Sequence, residues 1–291
     1  MNVATDLHGH TLFSDGRATP EEYVAMRRML GMRAIAVADH DLFAGVRRAE
    51  RAIVASRAPM LLVPAAEITS FIHFGTREAE QFHILAYFPP DVLHGRRLEH
   101  TALYARGMRV QARWRAFVLE WMSGLSAEER AQVDPEGELA ARPVAEFPAL
   151  QSTLTLLSAR CRALVPAFRA HHVSFWEADR ELFGWTPEEC IEAIRADGAI
   201  DIVAHPARYR DKARTLSVLE QASGLEVYTS RHKAEVAAAW RLFAEERRKL
   251  WTASADDHQN ARYVRPPCGT PLWALERILR RPLPTSMILA A

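Results

Sequence analysis

Histidines and acids recur along this chain where runs of apolar residues end. Asp6-Leu7-His8-Gly9-His10 follows the first run and Asp15 comes five residues later; Asp39-His40-Asp41 follows the second, and the third leads into Glu67. His83 lies within the fourth, His205-Pro206 closes the fifth, the sixth leads to His232, and Asp256-Asp257-His258 closes the seventh. Imidazole and carboxylate together suit borderline divalent cations such as Zn2+, Mn2+ and Fe2+. His8 and His10 are separated by one residue, so on an extended strand they share a face, and Asp256 and His258 repeat that spacing. One such ion takes three or four protein ligands. The candidates number nine, His8, His10, Asp15, His40, Glu67, His83, His205, Asp256 and His258. That is too many for one ion and suits two or three, with a carboxylate such as Glu67 bridging a pair. A lone histidine in a strand is more often a satisfied core or surface group, and His73, His94, His100, His171 and His172 stay with that bland reading. Asp39 fits either a helix cap or a partner that holds a ligand histidine. What sets the nine apart is joint placement, strand end after strand end.

For side chains so distant in sequence to meet, the elements that carry them must end at one place. Short runs rich in Val, Ile and Leu predict buried strands at 3–7, 34–38, 61–65, 81–86, 199–204, 225–228 and 250–254. Helical patterns lie between many of them. Thr19-Pro20-Glu21-Glu22 and Thr186-Pro187-Glu188-Glu189 each place Thr at the N-cap, Pro at the first helical position and Glu three residues after the cap. The second of these helices should stop near Asp197-Gly198. Seven strands with interleaved helices imply an α/β fold of parallel βα units, closed or nearly closed into a barrel whose strand ends converge on one mouth. Residues 89–185 break the rhythm, reading as an Arg-, Ala- and Leu-rich helical insertion that caps the mouth, with a loop at 135–148. The expected division is therefore 1–88 and 187–291 as barrel and 89–186 as cap. After Pro266-Pro267 and Pro271 a short helix is expected near 272–279.

Bulk properties remove several classes of function. The 291 residues are 49% apolar, enough for a sizeable core. Lys and Arg number 37 against 36 acids, a net charge of +1, which gives no general attraction to nucleic acid or membrane. A nucleotide substrate would have to be gripped by a local cluster of positive charge. Cys161, Cys190 and Cys268 are far apart and form no CxxC pair, which fits a reducing compartment. With neither a signal peptide nor a membrane span in view, a cytoplasmic protein is expected.

These motifs resemble those of the PHP family, named for polymerase and histidinol phosphatase. The resemblance lies in Asp6-Leu7-His8-Gly9-His10-Thr11 with Ser14-Asp15-Gly16, then Ala38-Asp39-His40-Asp41, Glu67, Phe82-His83-Ile84, Ala204-His205-Pro206 and Asp256-Asp257-His258. It spans roughly 1–88 and 187–259 and implies a distorted (β/α)7 barrel. It implies a first metal on His8, His10, Glu67 and Asp256, a second on Glu67, His83 and His205, and a third on Asp15, His40 and His258. Within the family the chain looks most like the stand-alone nucleoside 3′,5′-bisphosphate phosphatases and 5′-3′ exonucleases. The stretch Ala204-His205-Pro206-Ala207-Arg208-Tyr209 and His232 match that branch, where Arg208 and His232 would bind phosphate. Arg17, just past the first loop, is a further candidate phosphate contact, set against a solvated surface arginine.

Two departures stand out. The short Arg, His and Lys motifs with which that branch contacts substrate are not found in 89–185, so the barrel chemistry carries over but the nucleotide preference does not. The final motif carries Asp257 where the branch usually has an apolar residue. The expected activity is that of a metal-dependent phosphoesterase with two or three divalent ions (Mn2+, Zn2+ or Fe2+). It would hydrolyse a phosphate monoester or terminal nucleotide phosphate by attack of a hydroxide shared between metals. Its partner would be a small phosphorylated substrate, nucleotides included, without a stable nucleic-acid complex or a membrane. The rivals are a phosphatase for a non-nucleotide metabolite, an amidohydrolase-type metal hydrolase and a metal-stabilised binding module. The amidohydrolase plan usually bridges its metals with a carboxylated Lys, and no Lys lies at a predicted strand end. The complete ligand set speaks against the binding module.

Overall fold

The computed structural model describes residues 1–57, 59–147, 150–230, 232–258 and 269–287. The chain opens with two short strands, β1 (Asn2–Val3) and β2 (Thr5–Asp6), then helix α1 (Pro20–Met29), β3 (Ala34–Ile35), α2 (Ala44–Ser56) and β4 (Leu61–Leu62). Two eight-residue strands follow, β5 (Ala65–Ile72) and β6 (Glu80–Tyr87). Next come helices α3 (Ala102–Ser123), α4 (Ala127–Val133), α5 (Glu138–Ala141), α6 (Leu150–Arg160), α7 (Val165–Val173) and α8 (Arg180–Phe183). Alternation resumes with α9 (Pro187–Ala196), β7 (Ile200–Val203), α10 (Lys212–Gln221), β8 (Gly224–Tyr228), α11 (Ala234–Glu246) and β9 (Leu250–Ala253). The strand β10 (Thr270–Pro271) and the expected helix α12 (Leu272–Leu279) come last.

Both predicted helix starts form capping boxes, with Thr19 reciprocally bonded to Glu22 and Thr186 to Glu189. The α9 helix ends at Asp197, and Gly198 takes the left-handed turn at φ +77°.

The strands pair as a mixed sheet system, which corrects the all-parallel expectation. Strands β2, β3 and β4 pair in parallel, as do β7, β8 and β9. Strand β6 is antiparallel to both β5 and β7. The physical reason is a break at Val63-Pro64. The expected third strand stops at Leu62, and a new strand starts at Ala65. The seven residues 73–79 that join β5 to β6 are too few for the crossover a parallel pair needs, which takes a dozen or more. Backbone hydrogen bonds stitch the three-stranded sheet to the five-stranded one at both edges. On one side Asp256 N–H donates to His8 O (2.9 Å) and His10 N–H to Asp257 O (3.1 Å). On the other, Asp41 N–H donates to Glu67 O (2.8 Å) and Glu67 N–H to Asp39 O (3.2 Å). These seams bring the ends of β2, β3 and β9 to the β5–β6 pair.

Alternation along β5 and β6 separates two cores. Ile68, Ile72, Phe82 and Ile84 pack with residues of α1, α2 and α9, whereas Ala65, Leu85 and Tyr87 pack with Val3, Leu7, Ile202 and Leu250. A third cluster lies within α3–α8 and includes Val110, Trp114, Phe117, Leu157, Phe168 and Phe175. Trp121 and Trp176, partly buried, pack against it. The loop expected at 135–148 is corrected, because α5 and a tight helical turn at Val144–Glu146 occupy it; Pro148 lies outside the described residues. Buried Arg106 of α3 ties this helical segment to the strand ends. It pairs with Asp41 and donates to the carbonyls of Thr69 (3.3 Å) and Leu182 (3.0 Å). A side chain at the next residue, Gly107, would come within 2.4 Å of Asp41 O, so only glycine allows that approach. Among the described residues Cys161 and Cys190 are buried and unpaired thiols, and Cys268 lies outside those residues. Among the described residues no helix is long and apolar enough to cross a membrane.

Candidate metal centre

Glu67 stands at the middle of a knot of imidazoles. On the antiparallel β5–β6 ladder it faces Leu85, and His83 sits opposite Thr69, so Glu67 and His83 share one face as a diagonal pair. Glu67 Oε1 lies 3.0 Å from His83 Nδ1 and 3.0 Å from His205 Nε2. Its Oε2 lies 3.0 Å from His40 Nδ1, 3.2 Å from His8 Nε2 and 3.4 Å from His10 Nε2. Asp256 Oδ1 is 3.4 Å from His10 Nε2, 3.7 Å from His8 Nε2 and 3.6 Å from His258 Nδ1. Asp15 completes an outer group, 3.4 Å from His10 Nδ1, 3.6 Å from His40 Nε2 and 3.2 Å from His258 Nε2. All nine residues singled out from the sequence therefore lie in one constellation.

The donor atoms fall into three groups that would each suit a cation: His8, His10 and Asp256; His40, Glu67 and His83; and His10, Asp15, His40 and His258. His205 joins through Glu67, and His40 offers one ring nitrogen to each of two groups. The inner residues are buried, whereas the side chains of Asp15, His40 and His258 are 16%, 20% and 21% exposed, so the outer group is the open one.

The chemistry of this donor set fits divalent ions. His8 Nδ1 donates to the Glu226 carboxylate at 3.0 Å, so Nε2 is the nitrogen this ring offers a metal once it gives up its second proton. That nitrogen faces His10 Nε2 at 3.1 Å, with oxygens of Glu67 and Asp256 close by. So many electron pairs converging in a dry space call for a cation between them. Nearby backbone supports the same arrangement. His205 and Asp256 adopt left-handed conformations at φ +32° and +51°, unusual for residues with side chains and costing on the order of 1 kcal/mol or more each. Glu226 Oε2 accepts the His205 N–H at 2.8 Å, and the His8 carbonyl accepts that of Asp256.

The mutual charges show in the acidities. At His8 burial disfavours the cation, but Glu226, Glu67 and Asp256 outweigh it and hold the ring well above the usual imidazole value. At His10 burial wins, aided by His258, and the ring falls to about 3. His83, likewise dominated by burial, falls to about 4. Burial opposes ionisation of Glu67, Asp15 and Asp256, yet the surrounding histidines hold all three below the usual carboxylate range.

Asp39 is placed as a holding group: it accepts Thr11 N–H and Oγ–H at 2.7 Å each and Ser14 Oγ–H at 2.6 Å. His232 donates from Nδ1 to Val227 O at 3.0 Å, and its buried Nε2 has no hydrogen-bond partner among the described residues. Arg208 is exposed on the short turn that follows His205. Arg17 is exposed and borders a cavity of about 330 Å³ that reaches Asp15 and is also lined by Arg142, Arg160, Leu139 and Leu156.

Sequence reasoning missed Glu226, although its signal was present. Leu225 and Val227 pack outward against the helices, so the intervening Glu226 must point inward. Glu226→Gln removes the charge that fixes the His8 proton on Nδ1, and Mn2+ affinity is expected to fall about 10–100-fold. Titration calorimetry would read this; an undiminished affinity would leave Glu226 only a packing role.

No family model matches the chain. The 5′-3′ exoribonuclease Rnm of Escherichia coli (strain K12) is 26% identical over 223 residues, covering 75% of this chain and 70% of that protein. Its Salmonella typhimurium counterpart is 27% identical over 228 residues, with the same coverage. Among solved structures, a protein from Bifidobacterium adolescentis assigned as a metal-dependent phosphoesterase has a TM-score of 0.63 at 21% identity, covering 97% of each chain. An amidohydrolase from Chromobacterium violaceum, solved with bound sulfate, has a TM-score of 0.62 at 21% identity, covering 95% of this chain and 96% of its own. At these identities the solved structures speak to the fold.

Proposed function

We propose that the chain is a metal-dependent phosphoesterase of the PHP type and that it removes a phosphate from a substrate that carries a second anionic group, a terminal nucleotide being the best fit. The observation that carries the hydrolytic reading is Glu67, with two imidazoles on one carboxylate oxygen and three on the other. In this reading His8, His10, Glu67 and Asp256 hold one ion, Glu67, His83 and His205 a second, and Asp15, His40 and His258 a third. We take the strands as one distorted seven-stranded barrel and residues 89–186 as its cap. Divalent ions held there supply a hydroxide nucleophile at neutral pH and countercharge for phosphoryl oxygens.

The chain's own residues do the rest. Arg208, beside His205, offers a guanidinium to phosphoryl oxygens as charge builds in the transition state. His232, with Nδ1 fixed by the Val227 carbonyl, presents Nε2 to phosphate or to the leaving oxygen. Nucleotide selection rests on charge, because the buried aromatic rings of the cap are spent on its own core. The cavity beside Asp15 offers three guanidinium groups, of Arg17, Arg142 and Arg160, next to the carboxylates of Glu138 and of Asp134, the latter accepting the Leu139 and Ala140 N–H. This favours a doubly anionic substrate over a singly phosphorylated metabolite. Against the amidohydrolase reading, the bridging position belongs to a glutamate.

The test is an assay of Mn2+-loaded protein on nucleoside 3′,5′-bisphosphates, nucleoside monophosphates, short 5′-phosphorylated RNA and sugar phosphates. Substrates with the second phosphate should be preferred. Arg142→Glu should cut kcat/KM for them by about 10–100-fold, the worth of one or two charge-assisted hydrogen bonds, and leave monophosphates nearly untouched. Equal losses on both substrate types would remove the cavity from the argument, and an inert panel would remove the phosphoesterase.

A further inference from the structure

Asp257, the acid that stands where the resembled branch has an apolar residue, does not add charge to the mouth. Its Oδ2 accepts from Arg27 Nη2 at 2.9 Å. Arg27 comes from α1 and is fully buried, and its Nε donates to Oδ2 of the equally buried Asp6 at 2.9 Å. Asp6 Oδ1 accepts the Ala255 N–H at 2.9 Å. The guanidinium lies over the Tyr23 ring, 3.9 Å from its centroid, and the Tyr23 hydroxyl donates to Ala36 O at 3.0 Å. Gly9, between the two histidines of the first loop, rests on the same ring; a Cβ there would come within 2.3 Å of Tyr23. One cation thus joins residue 6, two positions before His8, to residue 257, which sits between Asp256 and His258.

We propose that Arg27 is a positioning residue for the metal centre, bridging Asp6 and Asp257 so that the loop bearing His8 and His10 is held in register with the loop bearing Asp256 and His258. The proposal rests on the metal-centre reading. Its physical basis is the planar guanidinium, which presents separate donors to two carboxylates at once; an ammonium cannot reproduce that fork. The seam it locks is narrow, consisting of the paired Gly9 and Asp257 and two backbone hydrogen bonds, His10 N–H to Asp257 O and Asp256 N–H to His8 O. Four proposed ligands sit within one residue of that seam. Loosening it spreads donor atoms that a metal needs at fixed distances.

Positioning and simple electrostatics predict opposite results, which makes the proposal testable without measuring turnover. Mn2+ dissociation constants would be measured by titration calorimetry on chelator-stripped wild type, Arg27→Lys, Arg27→Gln, Asp257→Asn and the double variant Arg27→Gln/Asp257→Asn. Melting of each metal-free protein would be recorded alongside. Arg27→Lys keeps the charge, and a tenfold or greater loss of affinity in a protein that still melts cooperatively supports positioning; wild-type affinity overturns it. Arg27→Gln removes a positive charge from the neighbourhood of cations, so tighter binding there overturns the proposal and weaker binding supports it. The double variant restores the net charge. Affinity still reduced about as much as in Asp257→Asn alone supports the bridge, and recovery to the wild-type value overturns it. If the arginine variants do not fold, Asp257→Asn decides: unchanged affinity overturns the proposal, and a tenfold loss that is insensitive to salt supports it. Absence of Mn2+ binding by the wild type overturns the metal centre and the proposal with it.

Discussion

Glu67→Ala is expected to lower turnover by on the order of 10⁴-fold, with melting of the metal-free protein still cooperative. The reason is the share of the site that converges on this carboxylate. Five histidines lie within 3.4 Å of its two oxygens, so its loss removes the shared ligand of two proposed ions and a buried countercharge for the imidazoles together. Metal ions contribute several kcal/mol of transition-state charge stabilisation, and losing on the order of 5 kcal/mol corresponds to roughly 10⁴ in rate. His8→Ala should be nearly as severe, and the double variant should be no worse than the worse single one, because the two residues serve one assembly. Arg208→Ala should differ in kind, chiefly raising KM. Metal content by elemental analysis, measured beside kcat, is the check. A Glu67→Ala protein that kept its metals and its rate would remove the bridging role.

The nine candidates were legible because histidine and acid side chains at successive strand ends have few bland explanations. Geometry then gathered them without exception. The strand order was less legible, and β5 shows why. Ala65–Ile72 is buried along its whole length, so no polar alternation marks it, and only Val63-Pro64 separates it from β4. The expected strand 61–65 therefore ends on the first residue of β5, and the rest of β5 goes unread. The direction of a strand is set by the length of its connection, and the seven residues of 73–79 were the available clue against a parallel pair. Glu226 was hidden for a different reason, being one acid in a short apolar strand where position on the pleat, not residue type, decides its aim. Arg142 and Arg160 carry no local signal at all. They are two of 37 basic residues, and only the packing of α4, α5 and α6 against the first loop brings them near Asp15. Asp257 was visible as an anomaly, but its partner Arg27 lies 230 positions away on a helix that looked ordinary.

Metal uptake should also tighten steeply as pH rises from about 7 to about 9. Burial presses His8, His10, His40, His83 and His258 toward the neutral form, yet carboxylates reverse the balance at three of them, His8, His40 and His258. Glu226, Glu67 and Asp256 keep His8 well above the usual imidazole value, and Glu67 and Asp15 bring His40 to about 9. A ring that binds a metal must give up its proton, so at neutral pH His8 and His40 each release one as the ion enters, and His258, raised by Asp15 and Asp256, adds to the release. His10 and His83, at about 3 and about 4, are already neutral and release none. Each displaced proton makes the apparent affinity rise about tenfold per pH unit while the medium stays below that group's pKa.

Stability moves the other way in the metal-free protein. His40 stands above its unfolded value near 6.5, so it stabilises the fold fully below that pH and loses this contribution as pH climbs through about 9. The lowered carboxylates of Glu67 and Asp15 contribute in full above the ordinary carboxylate range and lose it only in acid, outside this window. The melting temperatures with and without Mn2+ should therefore separate further at higher pH. Calorimetry in two buffers of different ionisation enthalpy counts the protons released. Zero release at about pH 7.5, or a gap in melting temperature that stays constant, would mean that Glu67 and its neighbours do not hold protons on His8 and His40 in waiting for the metal.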